Sequence, residues 1–236
     1  MMEIRFRSDV SVTLVQSVGD DAGVCRAARV STLGAAAAGT AEAAGLIRYL
    51  MKHRHGTPFE HGLMTFLVEA PIFVFREWHR HRVGWSFSET SGRYRELEPV
   101  FWVPPRGRKV APAPGYKASR PVFVEGDERQ HEMIRSACRA AYDEAWNSYR
   151  AMVEDGTALE VARCVLPAAV YSSMYATCNP RSLMHFLSLR THEPAAARVS
   201  YPQAEIEECA RLMEAAFARL YPLTHAAWNE FGRQAP

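Results

Sequence analysis

The chain has no C-x-x-C pair, hardly any lysine and no apolar run of membrane-spanning length. Its five cysteines, Cys25, Cys138, Cys164, Cys178 and Cys209, are scattered and odd in number. That pattern argues against a disulfide framework or a zinc knuckle, and for a reducing compartment. The first fifteen residues alternate charged and apolar character and lack a signal-peptide core. With no spanning stretch as well, the expectation is a cytoplasmic protein without a membrane partner. A formal net charge of +2 is too small to imply nucleic acid or membrane by itself. Lysine is confined to Lys52, Lys109 and Lys117, so arginine carries nearly all the positive charge, and its clustering becomes the signal to read.

What is present is enough for one large core or two small ones: 236 residues, 48% of them hydrophobic. Glu3–Arg7 and Val10–Gln16 have the β-branched content and partial alternation of short strands, and Leu63–Glu69 is a third. Asp20–Val30 and Ala41–Lys52 read as helices, the second with Leu46, Ile47, Leu50 and Met51 on one stripe and Thr40 as N-cap. Pro71 opens a helix expected over Ile72–His81. The proline-rich stretch 104–126 reads as a long mobile loop. Asp127 with Gln130 resembles a capping box that starts a long helix, with Ile134, Cys138, Ala141, Ala145, Tyr149 and Met152 inward. Ser200 with Gln203 repeats the device before a final helix with Ile206, Ala210, Met213, Phe217 and Leu220 inward. Strands first and helices later predict an α+β fold, helices on a mainly antiparallel sheet, in one domain over 1–236.

Two segments carry chemistry. Arg80–Tyr94 reads R-H-R-V-G-W-S-F-S-E-T-S-G-R-Y, and Asn179–Arg190 reads N-P-R-S-L-M-H-F-L-S-L-R. Arginine forks match phosphate oxygens in pairs, and a glycine-opened backbone lets an anion approach closely. If Arg80 and Arg82 close a helix, they point roughly opposite ways and reach different anions or different subunits; a solvated basic helix end is the plain alternative. Ser91-Gly92-Arg93-Tyr94 suits a phosphate anchor or a structural turn better than a serine nucleophile, since no G-x-S-x-G surrounds it. Asn179 and Pro180 suit a helix start, and helix N-termini bind anions. Arg190 then falls on the apolar stripe of Leu183, Phe186 and Leu187. A guanidinium there needs an acceptor or a ligand; Glu193 and Glu60 are candidates for a structural pair. The histidines His53, His55, His61, His79 and His81 lack metal-ligand spacing, so no metal is expected.

Together these motifs resemble the flavin-dependent thymidylate synthases, whose signature is R-H-R-x-x-S-x-N-x-x-S-x-R-Y. Further matches are H-G-T-P-F-E-H at His55–His61, A-R-x-V-L-P at Ala162–Pro167 and N-x-R-S-L-M-x-F-L-x-L-R at Asn179–Arg190, in the right order. The resemblance implies a homotetramer with shared active sites and FAD bound where subunits meet. It implies dUMP and 5,10-methylenetetrahydrofolate as substrates and NADPH as reductant. By residue match, His55, Thr57, Arg80, His81, Arg82, Glu89, Asn179, Arg181 and His185 contact FAD. Glu77, Arg80, Glu89, Ser91, Gly92, Arg93, Arg163 and Arg190 line the nucleotide site, with Arg190 and Ser91 as the catalytic pair and Arg190 on the uracil. A flat cofactor stacked on a flat pyrimidine needs positioning and charge stabilisation more than a protein nucleophile.

The sequence departs from the signature in four places. One extra residue lies between Arg80 and Ser91, so the Val83-Gly84-Trp85 turn must bulge; Ser88 replaces Asn; Glu77 stands where some members have Gln; His185 stands where Asn is common. The main alternative is a catalytically idle flavin- or nucleotide-binding homologue. An RNA- or DNA-binding protein would show arginines along one face, and here they sit amid glycine, serine and aromatics. A cysteine-nucleophile methyltransferase lacks an activating motif.

Overall fold

The computed structural model describes residues 3–34 and 43–236. The expected N-cap Thr40 and the first residues of its helix lie outside them. The fold is α+β, with eight α-helices among the described residues. The chain divides into two compact units. One comprises the chain up to Val10, Glu69–Arg76 and Glu89–Ser173; the other comprises Ser11–Val68, Glu77–Ser88 and Met174–Pro236.

In the first unit, β1 (Arg5–Arg7) pairs with β5 (Val100–Trp102). The pairing is parallel, with Phe6 opposite Phe101, in a two-stranded sheet of its own. The helix α4 (Glu128–Glu154) starts at the expected capping box: Gln130 N donates to Asp127 Oδ1 at 2.7 Å, and Asp127 N donates to Gln130 Oε1 at 3.0 Å. Its inward stripe is Tyr142, Trp146 and Tyr149. Ala141, expected inward, is exposed. The aromatics win the core because each buries far more apolar area than a methyl group. Phe101 stacks on Tyr142 at 4.9 Å, and Ala162, from the short α5 (Leu159–Ala162), and Val170 complete the cluster. The stretch 104–126 is not wholly loop. It holds a small antiparallel hairpin, β6 (Ala111–Pro112) with β7 (Phe123–Val124).

The second unit contains α1 (Asp21–Leu33), α2 (Ala43–Lys52), α6 (Pro180–Arg190), α7 (Ala204–Leu220) and α8 (Pro222–Glu230). A four-stranded sheet runs in the order β2 (Ser11–Val18), β3 (Leu63–Pro71), β8 (Tyr171–Cys178), β4 (Trp85–Glu89); β3, β8 and the last residue of β4 include residues of the first unit. Alternation along β3 buries Met64, Phe66 and Val68 on one face, the period-two pattern of a half-covered sheet. On α7, Ile206, Ala210, Met213 and Phe217 are buried as expected. The expected Ser200–Gln203 box does not form: Gln203 is the N-cap without a side-chain cap bond, and Ser200 Oγ donates to Leu189 O at 2.6 Å. A further helix, α8, follows. Its first turn is capped from α1: the Asp21 carboxylate accepts from Leu223 N, Thr224 N and Thr224 Oγ1 at 2.6–3.0 Å. An acidic group at a helix N-terminus offsets both the unpaired amides and the helix dipole.

Candidate active site

The helix α3 (Ile72–Trp78) is shorter than its apolar pattern suggests. Trp78 is fully buried, stacked on Phe186 at 4.9 Å and edge-on to Trp85, and the chain turns immediately after it, with His81 N donating to Trp78 O. Arg80, His81 and Arg82 therefore lie beyond the helix, and the opposed helical directions expected for the two arginines do not apply. In the turn His81 is buried, while Arg80 and Arg82, its neighbours in sequence, are exposed.

The extra residue of the signature is absorbed in the 83–84 turn. Gly84 has φ +69, and a Cβ there would lie 2.2 Å from Ser182 Oγ. Ser182, in the first turn of α6, donates its hydroxyl to Val83 O at 2.9 Å. The helix itself starts as its sequence requires: Asn179 Oδ1 accepts from Ser182 N at 2.8 Å, and Pro180 takes the first position. The start of α6 thus both caps itself and pins the turn that follows Arg82. Sequence reading missed Ser182, because the contact spans 99 positions.

Arg190 lies where the apolar stripe puts it, half-buried behind Leu183, Phe186 and Leu187. Its partner is neither Glu193 nor Glu60. Nη1 donates to Glu77 Oε2 at 2.8 Å, Nη2 to Glu77 O at 3.1 Å and Nε to His81 Nε2 at 3.1 Å. Glu193 lies against Arg211, and Glu60 pairs with Arg181. Burial, then the charges of Arg190 and His185, bring His81 down to about 4, so at neutral pH it is an uncharged acceptor for Arg190. Burial also raises the Glu77 carboxyl, against the pull of Arg190. One signal in the sequence pointed here: Glu77 stands where some members of the family it resembles have the uncharged Gln.

The remaining predicted residues separate into two groups. In the second unit, the exposed His55 ring is edge-on to Tyr49, and Thr57 opens a short 3-10 turn, Thr57–Glu60. Arg181 lies over Gly56, where a Cβ would fall 2.5 Å from the guanidinium, and donates to Glu60 and to Pro236 O. His185 lines a cavity of about 300 Å³ together with Arg54, Arg198 and the 232–235 segment. In the first unit, Glu89 ends β4, and the Ser91–Tyr94 turn follows. Gly92 is buried against Leu97 and the Arg163 stem. Arg93 is engaged with Glu160 at 3.2 Å and lies over the Tyr94 ring. A cavity of about 150 Å³ lined by Thr90, Arg95, Ser172 and Ser173 adjoins this turn, and the buried Ser172 Oγ has no hydrogen-bond partner.

Of the arginines picked out by motif, Arg93, Arg181 and Arg190 have carboxylate partners. Arg80, Arg82 and Arg163 make no ion pair among the described residues, and Arg163 is half-buried. Unpaired guanidinium groups at motif positions are ready to take anions from outside the chain. Burial pushes the thiols of Cys25, Cys178 and Cys209 up, away from thiolate chemistry.

Comparison with known proteins gives a consistent match. The profile of the family described as Thymidylate synthase complementing protein matches residues 13–223. A protein of Streptomyces coelicolor named flavin-dependent thymidylate synthase is 54% identical over 242 residues, covering 99% of this chain and 96% of that one. A Tropheryma whipplei protein of the same name is 46% identical, covering 100% of this chain and 99% of its own. Among solved structures, the UMP/dUMP methylase PolB from Streptomyces cacaoi bound with 5-Br dUMP superposes with a TM-score of 0.91 at 50% identity, covering 99% of this chain and 100% of that one.

Proposed function

The chain belongs to the flavin-dependent thymidylate synthases, and from that premise we propose that it converts dUMP to dTMP, taking the one-carbon unit from 5,10-methylenetetrahydrofolate and the reducing equivalents from NADPH through FAD. Bound FAD would supply hydride transfer from the nicotinamide to the pyrimidine carrying the one-carbon unit, which this reduction brings to the methyl level. The chain's own work is to bind, orient and stabilise charge.

The observation that carries this reading is the division among the motif arginines. Arg80, Arg82 and Arg163 have no anion of their own, while Arg93, Arg181 and Arg190 are held by carboxylates. Two phosphate-bearing ligands need several separate cationic anchors, and the three unpaired arginines come from both units. The residues fit FAD: Arg80 and Arg82 offer free charge, and the cradle at Gly56 would be filled by any side chain. His55, Thr57, His81, Glu89, Asn179, Arg181 and His185 complete the cofactor set. Ser91, Gly92, Arg93 and Arg163 take the nucleotide phosphate, Ser91 through its hydroxyl rather than as a nucleophile. Arg190 takes the uracil, where it stabilises negative charge that develops on the ring. The assembly is a homotetramer with shared sites, and it works in the cytoplasm.

A second reading has one observation in its favour: the solved relative named as a UMP/dUMP methylase is nearly as similar as the thymidylate synthases. In that case the ribonucleotide is also a substrate. The test is spectral. Purified protein should be yellow or take up FAD, bleach with NADPH in the absence of oxygen, and regain colour on adding dUMP with methylenetetrahydrofolate. UMP in place of dUMP decides between the two readings. Flavin binding without recovery of colour by either nucleotide would make the chain an idle homologue.

A further inference from the structure

We infer that Glu77 is a positioning residue that acts on the nucleotide through Arg190 rather than by touching it. The inference rests on the function proposed above. It starts from donor counting. A guanidinium has five N–H groups. Arg190 uses one on each nitrogen: Nε to His81, Nη1 to the Glu77 carboxylate and Nη2 to the Glu77 backbone carbonyl. One N–H is left on Nη1 and one on Nη2.

A single residue therefore holds both ends of the fork, and His81 holds its base. The guanidinium is held through all three of its nitrogens, and the N–H left on Nη1 and the one left on Nη2 can address acceptors of a planar ring, such as a pyrimidine carbonyl or ring nitrogen. The Glu77 carboxylate is itself occupied by Arg190, and the other charged group that acts on it is Glu205, which works against its ionisation. Arg80 is the nearby cation that acts on Arg190. A carboxylate in this position gives a nucleotide no donor and would repel its phosphate, so it serves better behind Arg190 than against the substrate.

The backbone half of the clamp survives any substitution at 77. Glu77→Ala should leave Arg190 held by Nε and Nη2 only, free to swing about them. Glu77→Gln keeps an amide oxygen for Nη1 and should restore most of what Ala loses. Misplacement of a positioned group by about 1 Å costs up to a hundredfold in rate.

The test is a double-mutant cycle on the FAD-loaded enzyme. It reads the rate at which dUMP and methylenetetrahydrofolate reoxidise reduced flavin, and the dUMP dissociation constant from the flavin spectrum. Glu77→Ala should slow reoxidation by about tenfold while the dissociation constant changes less than about threefold. Glu77→Gln should lie within about threefold of wild type. In an Arg190→Ala background either change should alter the rate by less than about twofold. If Glu77→Ala yields little folded protein, Glu77→Asp, whose shorter side chain draws the carboxylate away from Nη1, reads the coupling in its place and should lose its effect in the Arg190→Ala background. Equal losses with and without Arg190, or a weakened dUMP complex in both backgrounds, would overturn the inference. Reduced wild-type flavin that ignores dUMP and folate would instead remove the proposed function on which it stands.

Discussion

Gly84→Ala is the substitution whose cost can be worked most fully from the geometry. Two penalties combine. The residue sits at φ +69, where a Cβ crowds the following carbonyl, at a cost of about 1–2 kcal/mol. The new methyl would also lie 2.2 Å from Ser182 Oγ and 3.0 Å from Asn179 Nδ2, so Ser182 must leave its rotamer and lose the bond to Val83 O. That bond is worth about 0.5–1.5 kcal/mol. The total of roughly 1.5–3.5 kcal/mol corresponds to a fall in Tm of about 3–14 °C, since each kcal/mol shifts a protein of this size by about 2–4 °C. Because the turn follows Arg82 directly, FAD affinity should fall with it. The control is Ser182→Ala, which removes both the obstacle and the bond. Gly84→Ala on that background should cost about 1 kcal/mol less than on the wild type, the signature of two residues in contact. Thermal melting of all four proteins, with FAD titration of each, reads the result. A Tm within about 2 °C of wild type for Gly84→Ala, or strictly additive losses, would refute the reasoning.

Other expectations follow from the ion pairs and free arginines. Arg82→Ala should weaken FAD and Arg163→Ala should weaken dUMP, each by a factor of roughly 10 or more; separate titrations that find both ligands equally affected by both changes would contradict the division. Arg190→Ala should slow flavin reoxidation by roughly a hundredfold to a thousandfold, and Arg190→Lys should be impaired as well, because it keeps the charge without the planar fork; single-turnover kinetics beside a melting curve separate this from a loss of fold. Arg233→Ala breaks a buried pair with Glu214, whose oxygens it meets at 2.7 and 2.9 Å, and should cost about 3–5 kcal/mol in stability at neutral pH. Burial works against ionisation of Glu214, but hydrogen bonds and charge from His225 and Arg233 hold it at about 2. Its contribution is therefore full above the ordinary carboxylate range and lost as pH falls from about 4.5 toward 2, and melting curves across that window should be flatter for the Arg233→Ala variant.

Local signals were readable in the chain because the physics behind them is local. The Asp127–Gln130 box, the Asn179–Pro180 helix start, the alternation of β3 and the inward face of α7 each rest on neighbours within a turn or two. The failures share a cause of the opposite kind. The helix α3 stops at Trp78 because that indole is taken into a distant aromatic cluster, and its period alone gives no sign of this. Ser200 satisfies the pattern of a capping box but donates to Leu189 O instead. The placement of Arg190 on an apolar stripe was legible, and so was its need for a partner. Its actual partners, Glu77 and His81, lie 113 and 109 positions away. The same holds for Ser182 at Val83 and for Asp21 at the start of α8. The candidate residues could be named from motifs. Which of them were already paired, and which were left free for ligands, required the fold.

The central claim is that this chain methylates a uracil nucleotide with electrons delivered through its flavin. The most direct test reduces the FAD-loaded protein with NADPH without oxygen, removes excess reductant, and adds dUMP with methylenetetrahydrofolate for one turnover. The account predicts one dTMP formed for each flavin reoxidised, identified by the mass of the nucleotide. Flavin that stays reduced, or that reoxidises while dUMP is recovered unchanged, would contradict it.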